Sequence, residues 1–360
     1  MKIKNLKEKI TGFHYKKTFS FLELPLYILF FIPSVFYSLI INLKNFFYKI
    51  EVLKEGKSKA KIICIGNLTT GGVGKTPIVI EFCKYLSAKG KKIASLSRGY
   101  GGKLKGINVI KDFEDNILSN DASIIGDEVQ LIAQNSTPEH NFAVITSSNR
   151  LNGANYAYEN LGAEVILMDD GFSNRKIKKD LTILLFDSEK FIGNGFLLPL
   201  GPLRESLSEA KRADIIIIVD KNSNKNLSGA VKFLEEKFRK PVFVSKFIVD
   251  YFYNIKTGEK IESTAIKDVF AFCGIGSPEQ FYNYLKDFNL IGKKSYNDHY
   301  SYKKEDIETI LNEAKNAKYI ITTEKDAVKI KDLIPTSAKI FAMKLKPELD
   351  FESILKDFTA

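Results

Sequence analysis

The run Ile62-Ile63-Cys64-Ile65-Gly66-Asn67-Leu68-Thr69-Thr70-Gly71-Gly72-Val73-Gly74-Lys75-Thr76-Pro77 constrains this chain more than any other stretch. An apolar segment enters a glycine-rich turn, and Gly-Lys-Thr then opens an amphipathic helix. A strand, a turn with little side chain and a helix N-terminus, in that order, aim backbone N–H groups at one point. That is the layout that cradles phosphate. Gly71, Gly72 and Gly74 line the turn, Lys75 reaches the phosphates, and the Thr76 hydroxyl is suited to hold Mg²⁺. One position departs from the usual spacing: Thr69 stands where the first glycine belongs.

At 360 residues the chain exceeds one ordinary core and suits two α/β lobes. Alternating strand and helix signals predict a mainly parallel sheet flanked by helices. Strands are expected over 61–65, 93–97, 142–146, 165–169, 181–186 and 215–220, with helices over 75–88, 127–134 and 150–161. Residues 103–123 read as an irregular excursion, 222–228 as a polar break, and 237–261 as short strands forming a hinge ribbon. A second alternation predicts strands at 269–273 and 319–323, helices at 278–288 and 303–315, and a helical turn at 325–330. The expected division is an N-terminal membrane-association segment at 1–50, a phosphate-loop lobe at 51–221 and a smaller α/β lobe at 222–360. Cys64, Cys83 and Cys273 are scattered and suit reduced thiols in apolar elements. With three histidines in all, a zinc site built from histidine is not expected.

The net charge of +11 is unevenly placed. Residues 1–18 carry six Lys against one Glu, and residues 44–61 carry six Lys against two Glu. Between them, 19–43 is apolar and aromatic-rich. Basic flanks around an apolar stretch suit an anionic cytoplasmic membrane surface. After Pro33, the residues Ser34, Ser38, Asn42, Asn45 and Lys49 recur at helical spacing, with Val35, Phe36, Leu39, Ile40, Leu43, Phe46, Phe47 and Ile50 opposite. A helix with two such faces is expected to lie in the membrane interface rather than cross it. The competing reading is a helix packed on the domain's own core.

Candidate chemistry gathers in a few segments. Asp169-Asp170-Gly171-Phe172 follows the apolar run 165–168, which puts carboxylates at the end of a parallel strand, where ligands bind in open α/β sheets. They suit Mg²⁺ or simply cap the next turn. Gly126-Asp127-Glu128 opens a helix, so Asp127 is either a general base or an ordinary partner of the helix dipole. His299, in Asn297-Asp298-His299-Tyr300, is a candidate for acid–base work. Arg204-Glu205, ending a proline-rich loop, offers a phosphate ligand and a metal ligand, or a plain surface ion pair. Ser97-Arg98-Gly99-Tyr100-Gly101-Gly102 suits close backbone approach to a phosphorylated ligand, or a turn.

In this order, the Gly66–Pro77 loop, Ser97–Gly102, Gly126-Asp127-Glu128, Asp169–Phe172, the loop ending at Glu205, Asp298-His299 and Thr322-Thr323-Glu324-Lys325-Asp326-Ala327 resemble the tetraacyldisaccharide 4′-kinase family, the lipid A 4′-kinases. The resemblance spans roughly residues 20–330, and the family shares the exception at Thr69. It implies transfer of the ATP γ-phosphate to the 4′-hydroxyl of a membrane-embedded acylated glucosamine disaccharide 1-phosphate. It further implies a two-lobed fold with an N-terminal membrane helix, acting at the cytoplasmic face of the bacterial inner membrane; peripheral or monotopic attachment and a monomeric state are expected beside it. Carried over, Lys75 and Thr76 serve phosphates and Mg²⁺, and Asp127 is the base oriented by His299. Asp169, Asp170 and Glu205 become carboxylates for metal and phosphate positioning, and Arg204 a phosphate ligand. The chain departs from the family at Ser173-Asn174, where Gln-His is common, and at Tyr300, where many members have a second His.

The alternative is a membrane-associated phosphate-loop ATPase switch of the partitioning or targeting type. Those proteins often carry a lysine at the position of Thr70, which argues against it. The positive charge flanks an apolar helix and forms no aromatic-studded face, so nucleic acid is not an expected partner.

Overall fold

The computed structural model describes residues 12, 14–16, 23–119, 121–221, 226–298, 300–335 and 337–359. A 26-residue apolar helix, α1 (Leu24–Lys49), runs without interruption through Pro33 and precedes the sheet. The order then continues β1 (Lys61–Asn67), α2 (Lys75–Ala88), β2 (Ile93–Ser97), β3 (Ile107–Lys111), α3 (Ala122–Ile125), α4 (Asp127–Gln134), β4 (Ala143–Ser147), α5 (Arg150–Leu161), β5 (Val165–Asp169), β6 (Leu181–Asp187) and β7 (Ile215–Asp220). It ends with α6 (Ser228–Phe238), β8 (Val242–Asn254), β9 (Lys260–Ile261), β10 (Val269–Cys273), α7 (Pro278–Tyr284), β11 (Leu290–Ser295), α8 (Lys304–Glu313), β12 (Tyr319–Thr323), α9 (Glu324–Ile330), β13 (Ile340–Glu348) and α10 (Phe351–Thr359).

These strands form one continuous sheet in the order β11-β10-β12-β13-β8-β7-β6-β1-β5-β2-β4-β3, with β9 paired to β8. Two parallel blocks meet where β8 and β13 run antiparallel, and β3 closes the far edge antiparallel to β4. β1 lies centrally between β5 and β6 and is buried along all but its first residue. Its alternating side chains feed both layers. Ile63 and Ile65 pack with Leu167, Ile183, Ile78 and Phe82 on the α2 side, while Ile62 and Cys64 pack with Ile166, Met168, Ala154 and Ala157 on the α5 side. Burial on both faces explains the uninterrupted apolar runs of these strands.

Differences from the pattern have physical causes. The expected excursion at 103–123 contains β3 and the start of α3. The expected hinge ribbon is mostly the single 13-residue strand β8: its first half pairs with β7 and its second half with β13, so it belongs to both blocks. β11 alternates half-buried and exposed positions at the sheet edge, so beyond Leu290 and Ile291 it carries glycine, two lysines and serine and shows no long apolar run. The C-terminal helix α10 crosses back to the first block, with Phe351 edge-on to Phe82 at 4.9 Å and stacked on Tyr85 at 5.2 Å.

Part of the polar stripe of α1 faces the protein: Ser34 and Asn45 turn inward, while Asn42 and Lys49 stay exposed. Ser34 and Asn45 are its two buried residues, whereas Phe36, Leu39 and Ile40 are 60–66% exposed. This inverts the arrangement of a helix packed on a soluble core. The Ser34 and Asn45 donors are engaged by protein, so these two positions do not mark where water lies; Asn42 is exposed and donates to Ser38 within the helix.

Candidate functional site

The C-terminal ends of β1, β5, β6 and β7 lie side by side, which brings Asn67, Asp169, Asp187 and Asp220 to one edge of the sheet. The glycine-rich turn leaves β1 at this edge. Gly74 adopts φ 96°, a left-handed conformation open to glycine, and caps α2 so that Lys75 and Thr76 are its first two residues. Lys75 Nζ donates to Asn67 Oδ1 at 3.0 Å and lies 3.7 Å from Asp170 Oδ1. Arg204 closes the cluster: Nη1 and Nη2 donate to the two Asp170 carboxylate oxygens at 2.9 and 2.8 Å. Nη2 also reaches Asn67 O and Oδ1, each at 2.7 Å. Partial burial alone would raise the Asp170 carboxyl, but Lys75 and the Arg204 fork hold it well below the usual carboxylate range.

Asp169 behaves differently. It is buried at the end of β5, and its Oδ1 has no hydrogen-bond partner. Burial, with Glu128 adding to it, pushes this carboxyl up to about 7 in spite of Lys75. A buried oxygen without a partner, at the end of the strand beside the phosphate loop and with Thr76 opening α2, fits a hard cation with oxygen ligands. No group of three or more His, Cys, Asp or Glu side chains able to hold a metal occurs among the described residues. That is compatible with Mg²⁺, which commonly takes one or two carboxylates and completes its shell with phosphates and water. The structure gives Asp170 and Glu205, also expected at the metal, basic partners. Glu205 is buried, accepts from Arg212, and takes a 3.1 Å hydrogen bond from Asn45 of α1.

Asp127 is buried at the start of α4. The preceding Gly126 has φ 92°, and a Cβ there would lie 2.6 Å from Tyr100 O, so the Ser97–Gly102 loop packs directly under this helix start. The second block supplies the partners of Asp127. From α9, Lys329 Nζ lies 3.4 Å and Lys325 Nζ 3.7 Å from Asp127 Oδ2, and Lys325 also lies 3.7 Å from Asp298 Oδ1. His299 lies outside the described residues; its neighbour Asp298 is thus tied through Lys325 to Asp127.

Two features were not assigned roles from sequence. Lys325 and Lys329, four apart on one face of α9, are legible as a pair only once α9 is seen against α4. Lys221, just after β7, donates to Gly72 O in the phosphate turn and to Asp187 Oδ2 at 3.0 Å. Burial lowers the Lys221 ammonium, opposed by Asp187. In turn, Lys221 and the backbone N–H groups of Lys190 and Glu189 overcome burial to lower Asp187. The apolar face of α1 is turned outward, and cysteines 64, 83 and 273 are buried and not in disulfides.

A phosphate turn on a central parallel strand, with strand-end carboxylates and a lysine–arginine cluster around it, defines a phosphate-loop nucleotide-binding protein. The profile described as tetraacyldisaccharide-1-P 4′-kinase matches residues 26–359. Relatives named tetraacyldisaccharide 4′-kinase include one from Syntrophus aciditrophicus, 35% identical over 89% of this chain and 90% of its own. Another, from Desulfotalea psychrophila, is 35% identical over 89% and 93%. The crystal structure of LpxK from Aquifex aeolicus in complex with ATP superposes with a TM-score of 0.73 at 30% identity, covering 94% of this chain and 97% of that one. The chain belongs to the tetraacyldisaccharide-1-P 4′-kinase family.

Proposed function

We propose that the protein is the ATP-dependent kinase that phosphorylates the 4′-hydroxyl of an acylated glucosamine disaccharide 1-phosphate in lipid A biosynthesis. The observation that carries this reading is the family match, which runs from α1 through the phosphate loop to α10.

Phosphoryl transfer asks a protein for positioning and charge neutralisation more than for covalent chemistry. Here the turn amides, Lys75 and Arg204 receive the β- and γ-phosphates of ATP, and the Lys221–Asp187 pair braces the turn from behind. Asp169 and Thr76 would hold Mg²⁺, which would supply further neutralisation of the phosphate oxygens. Asp170 and Glu205 act through their arginines. Asp127 accepts the proton of the 4′-hydroxyl as that oxygen bonds to the γ-phosphorus and the bond to the ADP oxygen breaks. Lys325 and Lys329 keep the Asp127 carboxylate oriented, and His299 assists it.

The acceptor's acyl chains keep it in a bilayer, so the enzyme must reach the surface. Support for that comes from the exposed apolar face of α1 together with the lysines at 44, 49, 54, 57 and 59, which suit an anionic cytoplasmic leaflet. The acting unit is a monomer. Incubation with γ-labelled ATP and acylated disaccharide 1-phosphate in mixed micelles tests the reading. A labelled bisphosphate lipid is expected. Release of inorganic phosphate alone, stimulated by self-association, would instead fit an ATPase switch.

A further inference from the structure

We infer that α1 is a working part of the phosphate site, with Tyr37 and Asn45 as positioning residues for Arg204 and Glu205. The inference rests on the kinase reading above and adds to it a coupling between the membrane helix and ATP binding.

The loop 197–205 is held from both sides. On one side α1 reaches it three times: Ser34 Oγ donates to Leu197 O at 2.8 Å, Tyr37 Oη to Arg204 O at 3.0 Å, and Asn45 Nδ2 to Glu205 Oε2 at 3.1 Å. On the other side the phosphate-loop segment grips the same residues. Arg204 N donates to Leu68 O at 2.7 Å, Thr70 N donates to Pro202 O at 2.8 Å, and Thr69 forms an isolated bridge with Leu203. The loop is therefore one chain thick between helix and phosphate turn. From Tyr37 the path to the phosphate lysine is Arg204, then Asn67, then Lys75, each step a hydrogen bond.

The chemistry of α1 makes these contacts selective. A serine, a tyrosine hydroxyl and an asparagine on a helix whose other face is apolar are costly unless partnered. The rotation seen here turns all three onto this loop and gives each a partner. Glu205, 1% exposed, would otherwise leave part of its charge on Arg212 alone. Arg175 secures the far end, donating from Nη1 to Asn45 O at 3.2 Å and lying over the Tyr48 ring at 4.8 Å. The same rotation turns Phe36 and Ile40 outward, so the face that meets lipid and the face that sets Arg204 are opposite sides of one rigid cylinder, roughly 10 Å across.

The test uses the full chain in mixed micelles, with Tyr37→Phe and Asn45→Leu as inner-face variants and Ile40→Ala as the outer-face control. ATP dissociation constants are measured without acceptor, followed by KM values for ATP and acceptor, vesicle sedimentation and thermal unfolding. Each inner-face variant is expected to weaken ATP binding about 3- to 10-fold, leaving acceptor KM and sedimentation near wild type, while Ile40→Ala leaves ATP binding unchanged. Tyr37→Phe removes a single hydroxyl, so it remains decisive if Asn45→Leu unfolds. ATP affinity within about twofold of wild type for folded Tyr37→Phe, or an equal loss in Ile40→Ala, overturns the inference. Absence of lipid product from wild type would instead defeat the kinase reading, and the ATP-binding arm would still judge the coupling.

Discussion

The junction of the two sheet blocks depends on a buried charge, and removing it has a calculable cost. Lys344, on β13, is 4% exposed; its Nζ lies 2.9 Å from Glu324 Oε1 at the start of α9 and 2.6 Å from Asn135 Oδ1 at the end of α4. Burial already pushes the Glu324 carboxyl up, with Lys344 the main opposing influence. In Lys344→Met the carboxylate stays buried without its cation, which costs about 3–5 kcal/mol. At roughly 2 °C per kcal/mol for a large domain, the unfolding midpoint should fall by about 6–10 °C. The sign with pH follows from linkage. A carboxyl whose folded pKa is raised keeps a proton that the unfolded chain releases, so stability declines as pH rises above the unfolded value. The loss in Lys344→Met should therefore be larger at about pH 8 than at about pH 5. Thermal unfolding of wild type, Lys344→Met and Lys344→Met/Glu324→Leu at both pH values provides the assay. Because the double variant leaves no unpaired charge, it should recover most of the loss. A midpoint drop under about 2 °C, or a double variant no better than the single, would refute the reasoning.

Asp127→Asn should lower kcat by about 10²- to 10⁴-fold with little change in ATP affinity; near-normal turnover would remove Asp127 as the base. Arg204→Lys keeps charge but loses the two-pronged grip on Asp170 and Asn67, so ATP KM should rise about tenfold; an unchanged KM would place Arg204 outside the phosphate site. Since the Asp169 carboxyl sits at about 7 and a cation binds its ionised form, apparent Mg²⁺ affinity for the ATP complex should fall as pH drops below 7. Calorimetry in buffers of different ionisation enthalpy should show proton release on loading near pH 7, and its absence would separate Asp169 from the metal. Phe36→Glu together with Ile40→Glu should abolish sedimentation with anionic vesicles, and unchanged sedimentation would rule out the outer face of α1 as the lipid contact.

The central sheet was readable because strands buried on both faces carry unbroken apolar runs: Val165–Asp169 and Ile215–Asp220 have the bounds their sequence indicates. Edge and junction elements were not readable in that way. β11 alternates half-buried and exposed positions and carries two adjacent lysines, and β8 changes partner midway, a fact about neighbours that local sequence does not carry. For the site, the phosphate turn and strand-end carboxylates were legible because local geometry creates them. The division among the carboxylates was not, because it depends on distant partners: Arg204 on Asp170, Arg212 on Glu205, and no hydrogen-bond partner on Asp169 Oδ1. The stripe of α1 was visible as a pattern, yet the inward orientation of Ser34 and Asn45 required the loop at 197–205.

The most direct measurement is ³¹P NMR, with mass spectrometric localisation, of the lipid recovered after incubation with ATP and acylated disaccharide 1-phosphate. A second phosphomonoester on the 4′-oxygen, lost in Asp127→Asn, is the expected result. ADP and inorganic phosphate with the lipid unchanged, or phosphate on another hydroxyl, would contradict the account.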